Sequence, residues 1–192
     1  MPRMPLTEAL QILHAVRRDE IVVPTMSAAR EWMKLGTHPL DFIYAPSSMG
    51  QATALGLGIA LAQPQRQVIV LNGDGCLLMN LGSLVTIAAQ APANLCTIVI
   101  DNGVYEVTGS QPTAASHRGE VNFAGVARAS GFTSVWTFSD LESWRTGVTE
   151  VLTAKGPRFV VLQTEPMPGG IVPKSPAPAP ARARQFALTL KS

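Results

Sequence analysis

The sequence predicts an α/β fold of three layers, αβα, in which helices cover both faces of a central parallel sheet. Short apolar runs typical of buried strands, such as residues 68–71, alternate with segments that have helical periodicity. Hydrophobic residues make up 46% of the 192 residues and charged residues 15%, as expected when a sheet is buried on both faces. Because strands that alternate with helices form right-handed βαβ units, we expect a parallel sheet.

The first half of the chain predicts three strands and three helices before the first cysteine-containing helix. Residues 6–18 carry an apolar stripe at helical spacing, and Pro64 ends the small-residue helix at 49–63. Ser27 is the expected cap of a helix that Gly36 closes. In order, the elements are a helix at 6–18, a strand at 20–25, a helix at 27–35, a strand at 41–45, a helix at 49–63 and a strand at 67–73.

The second half continues the alternation. Ser139 is the expected cap of the helix at 140–154, with Glu142 at the capping-box position. The elements are one helix at 76–90, a strand at 94–101, an irregular loop at 103–119, a short helix at 122–130, a strand at 132–138, a helix at 140–154 and a strand at 158–164. Residues 1–165 then form the predicted domain, and 166–192 a Pro-rich tail that ends in a short helix at 181–190.

Composition excludes several functional classes. The net charge is +2 and no basic run is interleaved with aromatic residues, so we expect no nucleic-acid partner. Two isolated cysteines, Cys76 and Cys96, form no CxxC pair, which argues against a disulfide framework, a zinc site or an iron–sulfur site. No apolar run is long enough to span a bilayer and no secretory leader is recognisable, so we expect a cytoplasmic protein.

The stretch Gly73-Asp74-Gly75 follows an apolar strand and opens a helix. Glycines allow the backbone to approach a ligand closely, and the amides of Gly75 and Cys76 at the helix start favour an anion. A carboxylate beside an anion needs a cation between them, so Asp74 fits a ligand of Mg²⁺ or Ca²⁺ that bridges to phosphate. The alternative is that Asp74 only caps the helix within a common turn.

A second polar group, Asn102, ends the next apolar strand. One crossover helix and one strand separate it from Asp74, so the two side chains are expected on neighbouring strand ends. A carboxylate, an amide oxygen and a backbone carbonyl form a hard-oxygen site for a divalent cation. In parallel sheets ligands bind beyond the carboxyl ends of the strands, where both loops and the loop at 45–51 meet.

The run from "GDG" to "DN" resembles the signature of thiamine diphosphate-dependent enzymes, although Asp101 replaces the first Asn of its usual pair. The resemblance implies the thiamine diphosphate-binding fold, with Asp74, Asn102 and the Val104 carbonyl as ligands of Mg²⁺. It implies that Ser47 presents a carbonyl to the aminopyrimidine and that Met49 holds the cofactor bent. The other implied cofactor contacts are Ser48, Gly50, Gly73, Gly75, Cys76 and Tyr105.

Three stretches, 47–88, 100–113 and the tail from Glu165, look like the β subunit of sulfopyruvate or phosphonopyruvate decarboxylases. The resemblance implies decarboxylation of a 2-oxo acid at the interface with a pyrimidine-binding α subunit. That partner would carry the activating Glu in an αβ hetero-oligomer. The alternative is a dimer or higher oligomer of this chain alone. Polar residues after the metal loop are candidate substrate contacts, first Glu106 and Gln111, then Thr108, Ser110, His117 and Arg118.

Two departures from that family affect the substrate. "PTMSAAREW" lacks the expected Thr-Gly before a Ser-Arg, and Arg30 is displaced. Cys76 stands where Ser is common, and a thiol is a poor phosphate ligand. The alternatives are an acetolactate-synthase-like subunit, which would form a carbon–carbon bond, and an inactive binding module. Two cysteines argue against a ferredoxin-dependent oxidoreductase, and the missing GxGxxG argues against a dinucleotide site.

Overall fold

The computed structural model describes residues 3–43, 49–114, 121–167 and 177–191. A five-stranded parallel sheet lies at its centre, in the order β1-β2-β3-β7-β6. These strands are β1 Ile21–Pro24, β2 Val68–Gly73, β3 Leu95–Asp101, β6 Ser134–Phe138 and β7 Arg158–Gln163. A separate antiparallel hairpin pairs β4 Val104–Tyr105 with β5 Gln111–Pro112. The predicted parallel sheet is confirmed.

Helices cover both faces of the sheet. They are α1 Leu6–Val16, α2 Met26–Lys34, α3 Ala52–Ala62, α4 Asp74–Leu78, α5 Gly82–Gln90, α6 Phe123–Ala129, α7 Leu141–Thr153 and α8 Ala179–Thr189. A 3₁₀ helix spans Glu106–Thr108. Val68 and Val70 of β2 pack with α3, α5 and α6, whereas Ile69 and Leu71 pack with α1, α2 and α7. This alternation follows from the period of two along a strand.

The starts of α2 and α7 and the continuity of the helix at 76–90 differ from the prediction. Thr25 rather than Ser27 precedes α2, and Asp140 rather than Ser139 caps α7, where its Oδ1 accepts the Ser143 N–H at 2.9 Å. The predicted helix at 76–90 is two helices, α4 and α5. Asn80 lies in the turn between them and donates its side-chain amide to the Gly50 carbonyl at 2.9 Å.

The predicted strand at 41–45 is wrong for its described residues. Asp41 forms an isolated parallel bridge with Val22, and Phe42 N–H donates to the Val22 carbonyl at 2.8 Å. The predicted irregular loop at 103–119 contains the β4–β5 hairpin and the 3₁₀ helix, which local sequence did not indicate.

The terminal helix α8 docks on this chain. Its Phe186 is buried, and the ring lies 4.8 Å from the Phe42 ring between centroids. A boundary at residue 165 between the domain and its tail stays a prediction. Among the described residues, no helix is both long and apolar enough to cross a membrane.

The contact between α3 and β2 depends on Gly56, because a Cβ there would overlap the Cγ2 of Val70. Gly56→Ala is expected to lower the free energy of unfolding by about 1–3 kcal/mol through overpacking. Gly58 lies in the same helix with open space around its Cα, so Gly58→Ala is the matched control and is expected to gain up to about 1 kcal/mol. Urea unfolding measures both, and equal effects of the two substitutions would contradict this packing.

Candidate active site

A cleft with about 450 Å³ of empty space lies at the carboxyl edge of the sheet. It forms where the segments after β1, β2 and β3 meet, as expected for a parallel sheet. Its lining residues are Thr25, Met26, Ser27, Ala28, Met49, Gly73, Asp74, Gly75, Cys76, Ile100, Asn102, Val104, Tyr105, Glu106, Val107 and Thr108. The cleft therefore brings together the three loops that the sequence marked as candidates.

Asp74 is 2% exposed and begins α4 directly after β2. Its Oδ2 accepts the Gly103 N–H at 3.2 Å and the Thr113 hydroxyl at 2.8 Å. Burial raises the pKa of Asp74 to about 6, and the nearby Asp101 adds to the rise, while the hydrogen bonds oppose it. A carboxylate this buried is costly without a cation nearby.

Asn102 follows β3, the parallel neighbour of β2, and is 8% exposed. Its Oδ1 accepts the Val104 N–H at 3.0 Å, and its Nδ2 donates to Glu106 Oε1 at 2.8 Å. Gly103 adopts a φ of +75°, a left-handed conformation in which glycine is favoured. The Gly103 N–H then bonds Asp74, so the predicted proximity of the two loops is present.

The β4–β5 hairpin folds back onto the same loop. Thr113 N–H donates to the Gly103 carbonyl at 2.8 Å, and the buried Thr113 hydroxyl reaches Asp74. The ring of Tyr105 packs so closely on Gly75 that a Cβ at Gly75 would overlap it. Gly75 is therefore required by this contact, because any side chain there would overlap the Tyr105 ring.

The described end of the loop at 45–51 is held at Gly50 by two side chains, Cys76 of α4 and Asn80 in the turn after it. Gly50, with a φ of +83°, donates its N–H to Cys76 Sγ at 3.0 Å and accepts from Asn80. Burial raises the pKa of the Cys76 thiol, which keeps the sulfur neutral. Met49 lines the cleft beside Gly50. The predicted contacts Ser47 and Ser48 lie outside the described residues.

The donor set fits a divalent cation and a diphosphate. Among its described lining residues the cleft contains two carboxylates, Asp74 and Glu106, and no Lys, Arg or His. No group of three or more His, Cys, Asp and Glu side chains able to hold a metal occurs in the described part of the chain. Asp74, Asn102 and the Val104 carbonyl would instead offer a carboxylate oxygen, an amide oxygen and a backbone carbonyl oxygen. This set suits Mg²⁺ when phosphate oxygens complete the coordination of the ion.

Met26 was not anticipated as a cleft residue. It is the first residue of α2 and adopts a φ of +51°, although it is not glycine. The family resemblance predicts a Thr-Gly here, and Met26 occupies the left-handed position after Thr25. Such conformations cost free energy and concentrate at functional sites. Arg30 points elsewhere, because its Nε bonds Glu31 Oε1 at 2.9 Å.

The other candidate substrate contacts have different environments. Gln111 is exposed on β5, donating to the Thr108 carbonyl at 2.8 Å and accepting from the Thr108 hydroxyl at 2.9 Å. Ser110 is exposed with a φ of +60°. Only Glu106 and Thr108 of these candidates line the cleft, while His117 and Arg118 lie outside the described residues. A substrate role for Gln111 stays a prediction.

Thr113, Asn80 and Thr25 support the site and were missed as site residues. Thr113 bonds Asp74, Asn80 bonds Gly50, and the buried Thr25 hydroxyl donates to the Leu71 carbonyl at 3.1 Å. No spacing rule identifies them, because each acts through a residue far from it in sequence.

Comparison with known proteins places the chain in a family. Residues 24–162 match the family model described as "Thiamine pyrophosphate enzyme, C-terminal TPP binding domain". A sulfopyruvate decarboxylase subunit beta from Methanothermobacter thermautotrophicus is 39% identical over 160 residues, which cover 83% of this chain and 81% of that subunit. A phosphonopyruvate decarboxylase from Streptomyces viridochromogenes is 38% identical over 183 residues, 93% of this chain but 45% of its own length.

A solved structure gives the same fold. A Mycobacterium smegmatis protein described as a thiamin diphosphate-dependent enzyme superposes with a TM-score of 0.72 at 22% sequence identity. The superposition covers 86% of this chain and 32% of the other, so the shared fold is one part of that longer chain.

The buried charge of Asp74 makes the metal-free protein sensitive to pH. Because its folded pKa of about 6 exceeds the ordinary unfolded value, Asp74 favours folding below roughly pH 4 and loses that contribution as the pH rises through 6. Asp74→Asn is expected to raise the unfolding free energy by about 2–3 kcal/mol at pH 7.5 and by less at pH 5. Urea unfolding with a chelator present measures this. Exposed Asp19→Asn is the control, and a less stable Asp74→Asn protein at pH 7.5 would contradict the expected charge cost.

The strain at Met26 is testable by comparing two substitutions. Met26→Ala removes the side chain but keeps a left-handed non-glycine residue, whereas Met26→Gly relieves the strain. The free energy of unfolding of the glycine variant is expected to exceed that of the alanine variant by about 1 kcal/mol. Thermal unfolding by circular dichroism measures the difference, and an alanine variant as stable as the glycine variant would show that position 26 is unstrained.

Proposed function

The chain belongs to the thiamine pyrophosphate enzymes, and from that premise we propose that it is the β subunit of a 2-oxo acid decarboxylase of sulfopyruvate or phosphonopyruvate type. One observation carries the proposal. Asp74 and Asn102 follow two adjacent parallel strands and are joined through Gly103 at the base of an open cleft. That arrangement supports a divalent cation and the phosphates attached to it.

We propose Mg²⁺ as the metal. Asp74, Asn102 and the Val104 carbonyl would hold it, and thiamine diphosphate would place its phosphates against the amides of Gly75 and Cys76. The two lining carboxylates and the absence of a lining cation among the described residues support this, since the phosphates would otherwise be repelled. Gly73 and the tightly packed Gly75 allow the backbone to approach the phosphates.

When bound, thiamine diphosphate supplies an electron sink for the pair released with CO₂. The residues of this chain orient and enclose it. Met49 lines the cleft next to Gly50, which Cys76 and Asn80 hold, and Met49 would contact the cofactor there. Glu106 lines the cleft, and its Oε2 has no hydrogen-bond partner among the described residues, which supports the predicted contact with substrate.

We propose a pyrimidine-binding α subunit as partner, in a cytoplasmic αβ assembly whose active site lies between the subunits. The chain spans 81% of a relative named as a β subunit but 45% of the phosphonopyruvate decarboxylase. This supports a second chain that carries the remaining part, including the activating Glu.

The test is copurification of the chain with its partner, followed by titration with thiamine diphosphate and Mg²⁺. Saturable binding is expected with the wild type and with Asp19→Ala, an exposed aspartate, and a loss of about 100-fold or more with Asp74→Ala, because the cation loses its only carboxylate ligand in this site. Release of CO₂ from sulfopyruvate or phosphonopyruvate identifies the substrate.

Two other outcomes would correct the proposal. A product with a new carbon–carbon bond would make the protein a carboligase subunit of acetolactate-synthase type. A wild-type assembly that binds no thiamine diphosphate with Mg²⁺ present would overturn the enzyme proposal and leave a binding module.

A further inference from the structure

We propose that Glu106 is a positioning residue that fixes which end of the Asn102 side chain faces the metal. This inference rests on the proposed function, and it adds a role for Glu106 that is distinct from substrate contact. Glu106 begins the 3₁₀ helix two residues after Val104 and is 5% exposed. It is a buried acid whose described partners are all N–H groups rather than cations.

An asparagine side chain presents two different ends. Its oxygen can bind a cation, whereas its NH₂ group would repel one, so a ligand asparagine must be held in one of two flipped orientations. In this structure Asn102 Nδ2 donates to Glu106 Oε1 at 2.8 Å, while Asn102 Oδ1 accepts the Val104 N–H at 3.0 Å. A carboxylate only accepts, so the flipped orientation would set two oxygens against each other at Glu106.

Glu106 is itself anchored. Its Oε1 also accepts the Met167 N–H at 2.7 Å, from the segment that follows β7. Rotation of the carboxylate would break both bonds to Oε1 at once. Glu106 therefore links the metal loop after β3 to the chain after β7, and the position of Asn102 depends on both.

The bonding of Glu106 is asymmetric. Oε1 accepts two hydrogen bonds, whereas Oε2 is buried with no partner among the described residues. A buried oxygen without a hydrogen bond loses its hydration without compensation, so this arrangement is not the most stable choice for the core. This bonding of Glu106 is explained if its carboxylate holds a metal ligand in place. Groups that orient metal ligands commonly contribute about 10- to 100-fold to metal affinity.

Two substitutions separate orientation from general stability. Glu106→Ala removes the acceptor and leaves the Val104 N–H as the one described group that selects the orientation of the Asn102 amide. Glu106→Gln keeps a carbonyl oxygen that can accept from both Asn102 Nδ2 and the Met167 N–H. Glu150→Ala on the exposed surface of α7 removes the same charge far from the cleft and is the control.

The measurement is the affinity of the copurified assembly for Mn²⁺ in the presence of saturating thiamine diphosphate, by electron paramagnetic resonance. We expect Glu106→Ala to weaken Mn²⁺ binding by about 10- to 100-fold, Glu106→Gln by a few-fold at most, and Glu150→Ala not at all. Equal Mn²⁺ affinity in wild type and Glu106→Ala would overturn the inference. A wild-type assembly that binds no thiamine diphosphate would instead overturn the proposed function, and this inference with it.

A second measurement uses the metal-free chain. With ¹⁵N-labelled asparagine, the side-chain amide protons of Asn102 are expected to exchange slowly with solvent in wild type and Glu106→Gln, and at least tenfold faster in Glu106→Ala. Unchanged exchange in Glu106→Ala would show that Glu106 does not hold the amide, independently of cofactor binding. A role confined to stability would lower the melting temperature of Glu106→Ala without selectively changing either quantity.

Discussion

The rest of the site depends on one buried carboxylate, Asp74, placed at the end of a central strand. Removing it from water is unfavourable and raises its pKa, so the surrounding chain must supply hydrogen bonds. Gly103 supplies an N–H from the turn after β3, and Thr113 a hydroxyl from the far side of the β4–β5 hairpin. The hairpin therefore helps to stabilise the buried carboxylate of Asp74. A bound cation would offset the part of the burial cost that these hydrogen bonds leave.

Parallel pairing decides which groups can meet that carboxylate. Gly73 of β2 is paired with Ile100 of β3, so the two strands end at the same edge and their following loops touch. Small residues keep the surrounding layers close: Gly56 lets α3 approach Val70, and Gly75 makes room for the Tyr105 ring. The same features that pack the core therefore also set the shape of the cleft.

Sequence periodicity and strand-end chemistry were enough to predict the layers and the Asp74–Asn102 pair, because both depend on residues near each other in sequence or on adjacent strands. Thr113 and Asn80 could not be predicted, since they act across a hairpin and between two loops. The helix at 76–90 was predicted as continuous because its apolar pattern continues across the turn, where Asn80 makes a tertiary bond to Gly50 that local sequence does not indicate. Met26 was missed because a left-handed methionine contradicts local propensity.

The charge of the cleft limits what this chain can do alone. Besides Cys76 and Tyr105, the ionisable side chains that line the described part of the cleft are two acids, Asp74 and Glu106. Arg30 does not line the cleft, and its guanidinium is bonded to Glu31. In the proposed function a metal ion would neutralise the diphosphate, but an anionic 2-oxo acid would need further positive charge or N–H donors. These would come from residues beyond the described lining, with His117 and Arg118 as the sequence-based candidates, or from the proposed partner subunit. Under that proposal this chain would bind the metal through Asp74, which Thr113 holds, and Asn102, which Glu106 holds, while the substrate anion would be recognised elsewhere in the assembly.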